Sequence, residues 1–173
     1  MDTIQNTLTG GDPRSLGKTA DVVTQVLAGE LSVEELYTCM FNDDEIVRMR
    51  AGDALEKVCR ERPELVVPFT ERLLKDVPRV RQPSIQWHLA QMFTELPLTK
   101  LQTERATQII AYNVQTLDEW VVTNVSLEAL ATFTRKGSFD VNEFLNLLAI
   151  HQHSRHKSVA TRATRLLAEF TPR

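Results

Sequence analysis

Apolar positions recur along this chain with helical spacing, and the pattern itself repeats. Four segments carry a similar stripe: Ala54-Leu55-x-x-Val58, His88-Leu89-x-x-Met92, Ala129-Leu130-x-x-Phe133 and Leu166-Leu167-x-x-Phe170. The central leucines of successive stripes are 34, 41 and 37 residues apart. Periods of this length are typical of stacked helical repeats. The sequence therefore predicts an all-α chain built from antiparallel helix pairs.

The polar residues and prolines between the stripes predict where the helices begin and end. A first helix should open at Asp12-Pro13 and place Leu16, Ala20 and Val23 on one face. Residues 1–12 are then expected to be a flexible leader, and 13–170 a single domain. Further on, a helix is expected over residues 65–75, where Pro68 falls near the first turn, and another from Pro83 to about residue 95.

Three segments have the residues of a helix-capping box, in which a Ser, Thr or Asp cap is followed three residues later by Glu or Gln. Ser32 with Glu35, Thr99 with Gln102, and Asp140 with Glu143 have this spacing. Asp118 is expected to cap the helix that contains Val121-Val122-Thr123, because the helical period continues through that β-branched run. The total is about nine helices: one leading helix and four antiparallel pairs.

One segment carries a family resemblance. The run Asp44-Glu45-Ile46-Val47-Arg48-Met49-Arg50-Ala51-Gly52-Asp53-Ala54-Leu55 resembles the acidic turn, Val-Arg pair and alanine-rich inner helix of HEAT repeats. Weaker matches begin at Val80-Arg81, Trp120-Val121-Val122 and Lys157-Ser158-Val159, so the resemblance covers about residues 32–170.

The resemblance implies a right-handed α-solenoid that acts as a scaffold or adaptor. It also implies a ladder of turn residues between repeats, for which Asp43, Asp44, Arg48 and Arg81 are the candidates. The ladder is incomplete, because repeats three and four lack the arginine. An irregular helical bundle is the alternative architecture.

The composition indicates the class of protein and its cellular location. The 173 residues are 42% hydrophobic and 25% charged, as in ordinary globular proteins. No apolar run approaches the roughly 18 residues that cross a bilayer, and the N-terminus lacks the pattern of a secretory signal. Cys39 and Cys59 lie in apolar stripes, which indicates buried thiols. We therefore expect a cytoplasmic protein without a membrane partner.

Charge is distributed unevenly. Through Thr134 there are 13 Lys/Arg and 20 Asp/Glu, a balance of −7; from Arg135 onward there are 7 and 3, a balance of +4. The last helix pair holds the densest basic stretch, with Arg155, Lys157, Arg162 and Arg165. Such a row suits an acidic protein segment, or a nucleic acid as the second choice. Because the pI is near 5.8, a simply solvated face or contact with an acidic protein is favoured over a nucleic acid.

Candidate chemistry is sparse. The histidines at 151, 153 and 156 have short spacing, but no nearby carboxylate or cysteine completes a four-ligand zinc set. No phosphate-binding glycine loop, serine elbow or H-E-x-x-H pair is present. The sequence thus predicts no catalytic residue, no metal and no cofactor.

The function expected from these observations is a non-catalytic protein-interaction scaffold or adaptor. Contact is expected along the second helix of each pair, and the basic last pair is expected to anchor an acidic segment. The residues of the second helices expected to be exposed are Arg48, Arg50, Gln86, Trp87, Asn124 and Glu128. The alternative is a DNA-binding protein related to the alkylpurine DNA glycosylases built from HEAT-like repeats. It would use Trp87, Trp120 and the carboxylate of Asp118 or Glu119 to hold a damaged base and stabilise a cationic sugar. The oligomeric state is left open.

Overall fold

Helices separated by short turns make up the fold, and no strand occurs among the residues described. The computed structural model describes residues 3–171. Its ten α-helices are α1 Ile4–Leu8, α2 Thr19–Leu27, α3 Val33–Cys39, α4 Glu45–Glu61, α5 Thr70–Lys75, α6 Pro83–Glu95, α7 Lys100–Thr116, α8 Trp120–Arg135, α9 Val141–His151 and α10 Lys157–Phe170. Single 3-10 turns lie at Pro63–Leu65, Val67–Phe69 and Val77–Arg79. The all-α prediction is confirmed, with ten helices in place of about nine.

The chain divides between Pro97 and Leu98 into two compact units. In the first unit α4 is central and packs against α1, α2, α3 and α6. The predicted stripe Ala54-Leu55-x-x-Val58 is confirmed as its inner face, because these residues are buried, together with Val47, Ala51 and Cys59. Gly52 brings α4 close to α6, since a Cβ at this position would lie 2.9 Å from Cδ1 of Ile85.

The second unit consists of the pairs α7–α8 and α9–α10, with α8 also packed on α10. The predicted capping box is complete at the start of α7, where Thr99 and Gln102 exchange side-chain and backbone bonds. Asp140 caps α9, and Phe139 packs against the fully buried Phe144 with ring centroids 6.4 Å apart. Phe170 also turns inward, and its ring centroid lies 5.2 Å from that of Phe144.

The N-terminal stretch differs from the expectation. Helix α1 lies within the predicted leader, with both Ile4 and Leu8 fully buried. Its first amide is fixed from a distance, because Ile4 N donates to Oε1 of Glu35 at 2.8 Å. The prediction of one domain over 13–170 stays a prediction.

The helix expected from Pro13 begins only at Thr19. Asp12 accepts from the amide of Arg14 in a local turn, and Gly17 has φ +53, which a right-handed helix excludes. Thr19, Val22 and Val26 are buried, so the face built on Leu16, Ala20 and Val23 was wrong by one residue.

Two further helix starts need correction. The helix expected over residues 65–75 is broken into two 3-10 turns and the short α5, since Pro68 cannot donate a helical hydrogen bond. Glu119, not Asp118, caps α8, because its carboxylate accepts from the amides of Val121 and Val122. Across the described residues, no helix is both long and apolar enough to cross a membrane.

Candidate functional site

A groove crosses the surface of the first unit beside Phe41, where the end of α3 and the start of α4 face the turn before α6. It consists of two adjoining cavities with volumes of about 440 and 480 Å³. Phe41 and Val80 line both cavities. We call this surface the Phe41 groove, and the other residues that line it are Tyr37, Thr38, Glu45, Arg48, Arg72, Asp76, Arg79, Arg81, Gln82 and Pro83.

Aromatic rings form one wall of the groove. Phe41 is 40% exposed, and its ring centroid lies 5.3 Å from that of Tyr37. Tyr37 is buried and packs in turn on Phe69, also at 5.3 Å. The guanidinium of Arg72 lies 4.2 Å from the centroid of the Tyr37 ring, within the range of a cation–π interaction. Burial, the largest cause, raises the pKa of the Tyr37 hydroxyl, so it stays protonated at neutral pH.

The turn before α4 holds Arg48 in place. Asn42 accepts from the amide of Asp44, and Asp44 accepts from the amide of Ile46 as the cap of α4. Arg48 donates to the carbonyl oxygens of Asn42, at 2.7 Å, and Asp43, at 3.1 Å. Of the acidic side chains that the HEAT resemblance implied as ladder partners, that of Asp44 therefore caps α4, while the turn's carbonyl oxygens bind the arginine.

Arg48 and Gln82 join the two sides of the groove. Arg48 Nε donates to Oε1 of Gln82 at 2.7 Å, across 34 residues of sequence. The amide group of Gln82 donates in return to the carbonyl oxygen of Glu45 at 2.9 Å. Pro83 then starts α6 as its first residue, where no amide hydrogen is needed. Gln82 was not predicted from the sequence, although its spacing of 34 residues from Arg48 equals the first repeat step.

The charges that line the groove are unequally neutralised. Four arginines stand against two carboxylates, Glu45 and Asp76. Arg72 forms an ion pair with Glu34, with a nitrogen–oxygen distance of 2.7 Å. Arg48 has only the neutral acceptors given above, and Arg79 is exposed and makes no ion pair with any residue in 3–171. The groove thus carries net positive charge on an acidic chain.

Carboxylates on α8 and just before it pair with three cations of the basic last pair. Arg155 pairs with Asp118, and both Arg162 and Arg165 pair with Glu128 of α8. Arg135 at the end of α8 pairs with Glu169 of α10 at 2.7 Å. Lys157, at the start of α10, is exposed. The structure thus brings the predicted cations together and supplies Arg155, Arg162 and Arg165 with internal counter-ions.

Three residues predicted to be exposed are buried. Arg50 is 1% exposed, Gln86 0% and Asn124 7%. Gln86 donates to the carbonyl oxygens of Val77 and Val80, and Asn124 donates to Ser158. These positions face their neighbouring elements, so the expectation of exposure was wrong. Arg48, Trp87 and Glu128 are half-buried, as a contact surface permits.

Arg50 is enclosed by the N-terminal segment. Its guanidinium donates to four backbone carbonyl oxygens, which belong to Leu8, Gly10, Asp12 and Ser15, at distances of 2.6 to 3.1 Å. No carboxylate pairs with it among the described residues. Because an arginine fork has five N–H donors in fixed geometry, this cage uses most of them. The guanidinium therefore fastens residues 8–15 to α4.

The two tryptophans lie in different units. Trp87 is half-buried, with its ring centroid 5.4 Å from that of His88, while Trp120 is 48% exposed at the first position of α8. Asp118, the carboxylate considered for a glycosylase, is bound to Arg155 and lies 3.7 Å from Nε2 of His156. Residues 3–171 contain no group of three or more His, Cys, Asp or Glu arranged to hold a metal.

A buried polar cluster lies between α4 and α6. Asp53, Glu56 and His88 are each less than a tenth exposed. Burial lowers the pKa of His88 to about 4, against the opposing effect of Asp53, 3.9 Å away. Burial first, and the Glu56 carboxyl second, raise the pKa of Glu95 to about 8. Neighbouring carboxyl groups on the two helices therefore hold a proton at neutral pH.

Another cavity, of about 810 Å³, lies in the second unit between the start of α7 and the turn before α9. Thr99 and Asp140 already cap the two helices that border it. Each cap occupies one amide at its helix start, and no aromatic cluster with unpaired arginines like that beside Phe41 lines this cavity among the described residues. We therefore regard the Phe41 groove as the candidate site.

In comparison with protein families, curated proteins and solved structures, no match to this chain was found. The assignment of a function consequently depends on the geometry of the chain itself.

Proposed function

We propose that this chain is a non-catalytic protein-interaction module whose helix pairs are HEAT-like repeats. The Phe41 groove carries the proposal: a partly exposed aromatic wall and a surplus of arginine charge lie on a rigid helical frame. Aromatic residues and arginine are the residue types most enriched where partners bind tightly. A surface of this composition is suited to hold a protein segment.

Contacts between successive helix pairs support the repeat part of the proposal. Arg48 with Gln82, Asn124 with Ser158, and Arg135 with Glu169 are each hydrogen-bonded across 34 residues. Arg155 and Asp118 are joined across 37 residues. Side-chain bonds at one recurring offset are what repeated units produce when each contacts its neighbour. We infer right-handed solenoid stacking of the pairs from this regularity and from the HEAT resemblance.

Affinity capture with quantitative partner identification tests the proposal. The full chain, tagged at its C-terminus, is expressed at native level in the cell that makes it. We expect at least one protein to be retained in a fixed ratio to the bait after washes at moderate salt. The proposal fails if no protein is retained above the level of an unrelated helical bait.

Duplex DNA provides the opposing test. If the chain binds a short duplex with an affinity that falls steeply as salt rises, and excises an alkylated base, the scaffold proposal is wrong. Asp118→Asn and Trp87→Ala variants would then lose the excision. We expect neither binding at moderate salt nor excision, because Arg155 is paired with Asp118, and Arg162 and Arg165 are paired with Glu128.

A further inference from the structure

The Phe41 groove combines an apolar wall with a positively charged rim. Phe41 and Val80 are shared by its two cavities, so an apolar strip runs along the groove. Arginines outnumber carboxylates on the rim by four to two, although the chain as a whole has a net charge of −3. A local potential opposite to the overall charge selects partners by their charge.

Two of the arginines, Arg48 and Arg79, can form an ion pair with a bound partner. Arg48 is positioned by Gln82 and by backbone carbonyls, none of which carries a charge. Arg79 lies on the 3-10 turn before α6, exposed and without an ion pair among residues 3–171. By contrast, Arg72 is already paired with Glu34 and serves the aromatic wall. A bound carboxylate would therefore meet Arg48 or Arg79.

We propose that the Phe41 groove binds an acidic linear peptide segment of a partner protein. One aromatic or branched aliphatic side chain of the segment packs on Phe41 and Val80, and flanking carboxylates pair with Arg48 and Arg79. An apolar anchor surrounded by charge pairs is the usual organisation of a small binding hot spot. This inference rests on the proposed interaction function and narrows it to one partner chemistry.

The two carboxylates of the groove favour a peptide over a nucleic acid. Glu45 and Asp76 lie among the arginines, where they repel the evenly spaced phosphates of a nucleic-acid strand. A peptide avoids this repulsion, since it places carboxylates opposite Arg48 and Arg79 and neutral residues opposite Glu45 and Asp76. The mixed rim thus suits a segment with discrete charges around an apolar residue.

Selection from a library of random peptides of about twelve residues, displayed on phage and panned on the full chain, tests the inference. We expect the enriched sequences to share one large apolar residue flanked by two or more Asp or Glu. A synthetic fluorescein-labelled peptide from the enriched set is then titrated by fluorescence anisotropy. Arg79→Glu is expected to raise its Kd by about tenfold or more.

Matched controls separate the groove from general charge and stability. Arg14→Glu makes the same charge change at a side chain that is 91% exposed outside the groove, and it should leave the Kd unchanged. Phe41→Ser should abolish binding, whereas Leu101→Ser, at a 66% exposed position on α7, should not. A labelled peptide with lysine in place of its flanking acids should bind Arg79→Glu more tightly than it binds the wild type.

Several results would overturn the inference. They are the absence of any enriched sequence, enrichment of peptides without acidic residues, and a Kd unaffected by both Arg79→Glu and Phe41→Ser. Tight binding of a labelled single-stranded oligonucleotide that Arg79→Glu abolishes would also overturn it, in favour of a nucleic acid. If native partners are still retained by both groove variants, the interaction function stands and the groove inference alone fails.

Discussion

The guanidinium of Arg50 donates a 2.6 Å hydrogen bond to the carbonyl oxygen of Leu8, 42 residues earlier in the chain. Three more carbonyl oxygens of the same N-terminal segment complete its set of acceptors. Backbone dipoles thus stabilise the charge of a side chain that is only 1% exposed. The same hydrogen bonds hold the N-terminal segment against α4.

Arg50→Gln should loosen the N-terminal segment. A buried carbonyl left without a donor costs about 1–3 kcal/mol, and water will replace some of the lost bonds, so we expect a loss of about 3 kcal/mol in unfolding free energy. Hydrogen exchange should accelerate over residues 4–17 more than elsewhere. Arg62→Gln is the control, because Arg62 also reaches a distant carbonyl, that of Leu27, but is exposed. Equal exchange in the two variants would contradict the prediction.

Gly52→Ala should destabilise the packing of α4 on α6. Alanine gains about 1 kcal/mol in helix propensity, yet its Cβ would lie 2.9 Å from Cδ1 of Ile85, a contact that forces one helix to shift. We expect a net loss of about 1–2 kcal/mol by urea denaturation. Ile85→Val removes the opposing methyl group, so the double variant should be more stable than the sum of the single effects predicts. Additive effects would disprove the contact.

Glu95 should make stability fall with rising pH. Its pKa rises from 4.5 to about 8 on folding, so between these values the folded state holds a proton that the unfolded state has lost, and each rise in pH favours unfolding. His88 acts in the opposite direction between about pH 4 and 6.5, because its pKa falls on folding. Above pH 6.5 the Glu95 effect remains alone of the two.

We therefore expect the unfolding free energy to fall by about 1 kcal/mol more in the wild type than in Glu95→Gln between pH 6.5 and 8, after allowance for the partial exposure of the side chain. Urea titrations at a series of pH values measure the difference. Glu61→Gln, an exposed substitution on α4, should keep the wild-type slope. If Glu95→Gln retains that slope as well, the carboxyl group is ionised in the folded state.

Glu128→Gln should convert the basic last pair into an anion-binding surface. Glu128 pairs with both Arg162 and Arg165, and its neutral substitute removes the counter-ion of Arg162 and leaves Arg165 only the more distant Glu169, at 3.7 Å. We expect the variant to elute from heparin at a higher salt concentration than Glu104→Gln, which makes the same charge change at an exposed position on α7. Identical elution would show that the pairs do not hold the arginines in solution.

The sequence predicted the regular parts of the fold from strong local signals. Helix α4 has six apolar positions at helical spacing, and the boundaries of α6 and α7 are set by Pro83 and Thr99. Helix α1 escaped prediction because its five residues carry little periodicity, and Glu35, which accepts from its first amide, lies 31 residues away. A partner so distant in sequence produces no recognisable pattern in the residues around the helix.

The site was harder to predict, for two physical reasons. Polar residues were assigned to the surface, although Arg50 follows Val47 by three positions and so lies on the same buried face of α4. The Phe41 groove joins a turn, a 3-10 segment and two helix ends, none of which has a periodic pattern. Only the spacing of 34 residues between Arg48 and Gln82 was available as a signal.

The carbonyl cage around Arg50 also bears on the order in which the chain acquires its structure during synthesis. Residues 8–15 leave the ribosome before Arg50 does, and synthesis adds about 5–20 residues each second. During the seconds between the synthesis of residues 8–15 and that of Arg50, the four carbonyl groups cannot form their hydrogen bonds to the guanidinium. Residues 8–15 are thus made before the group that fixes them, and they gain this anchor only once the Arg50 side chain of α4 is available.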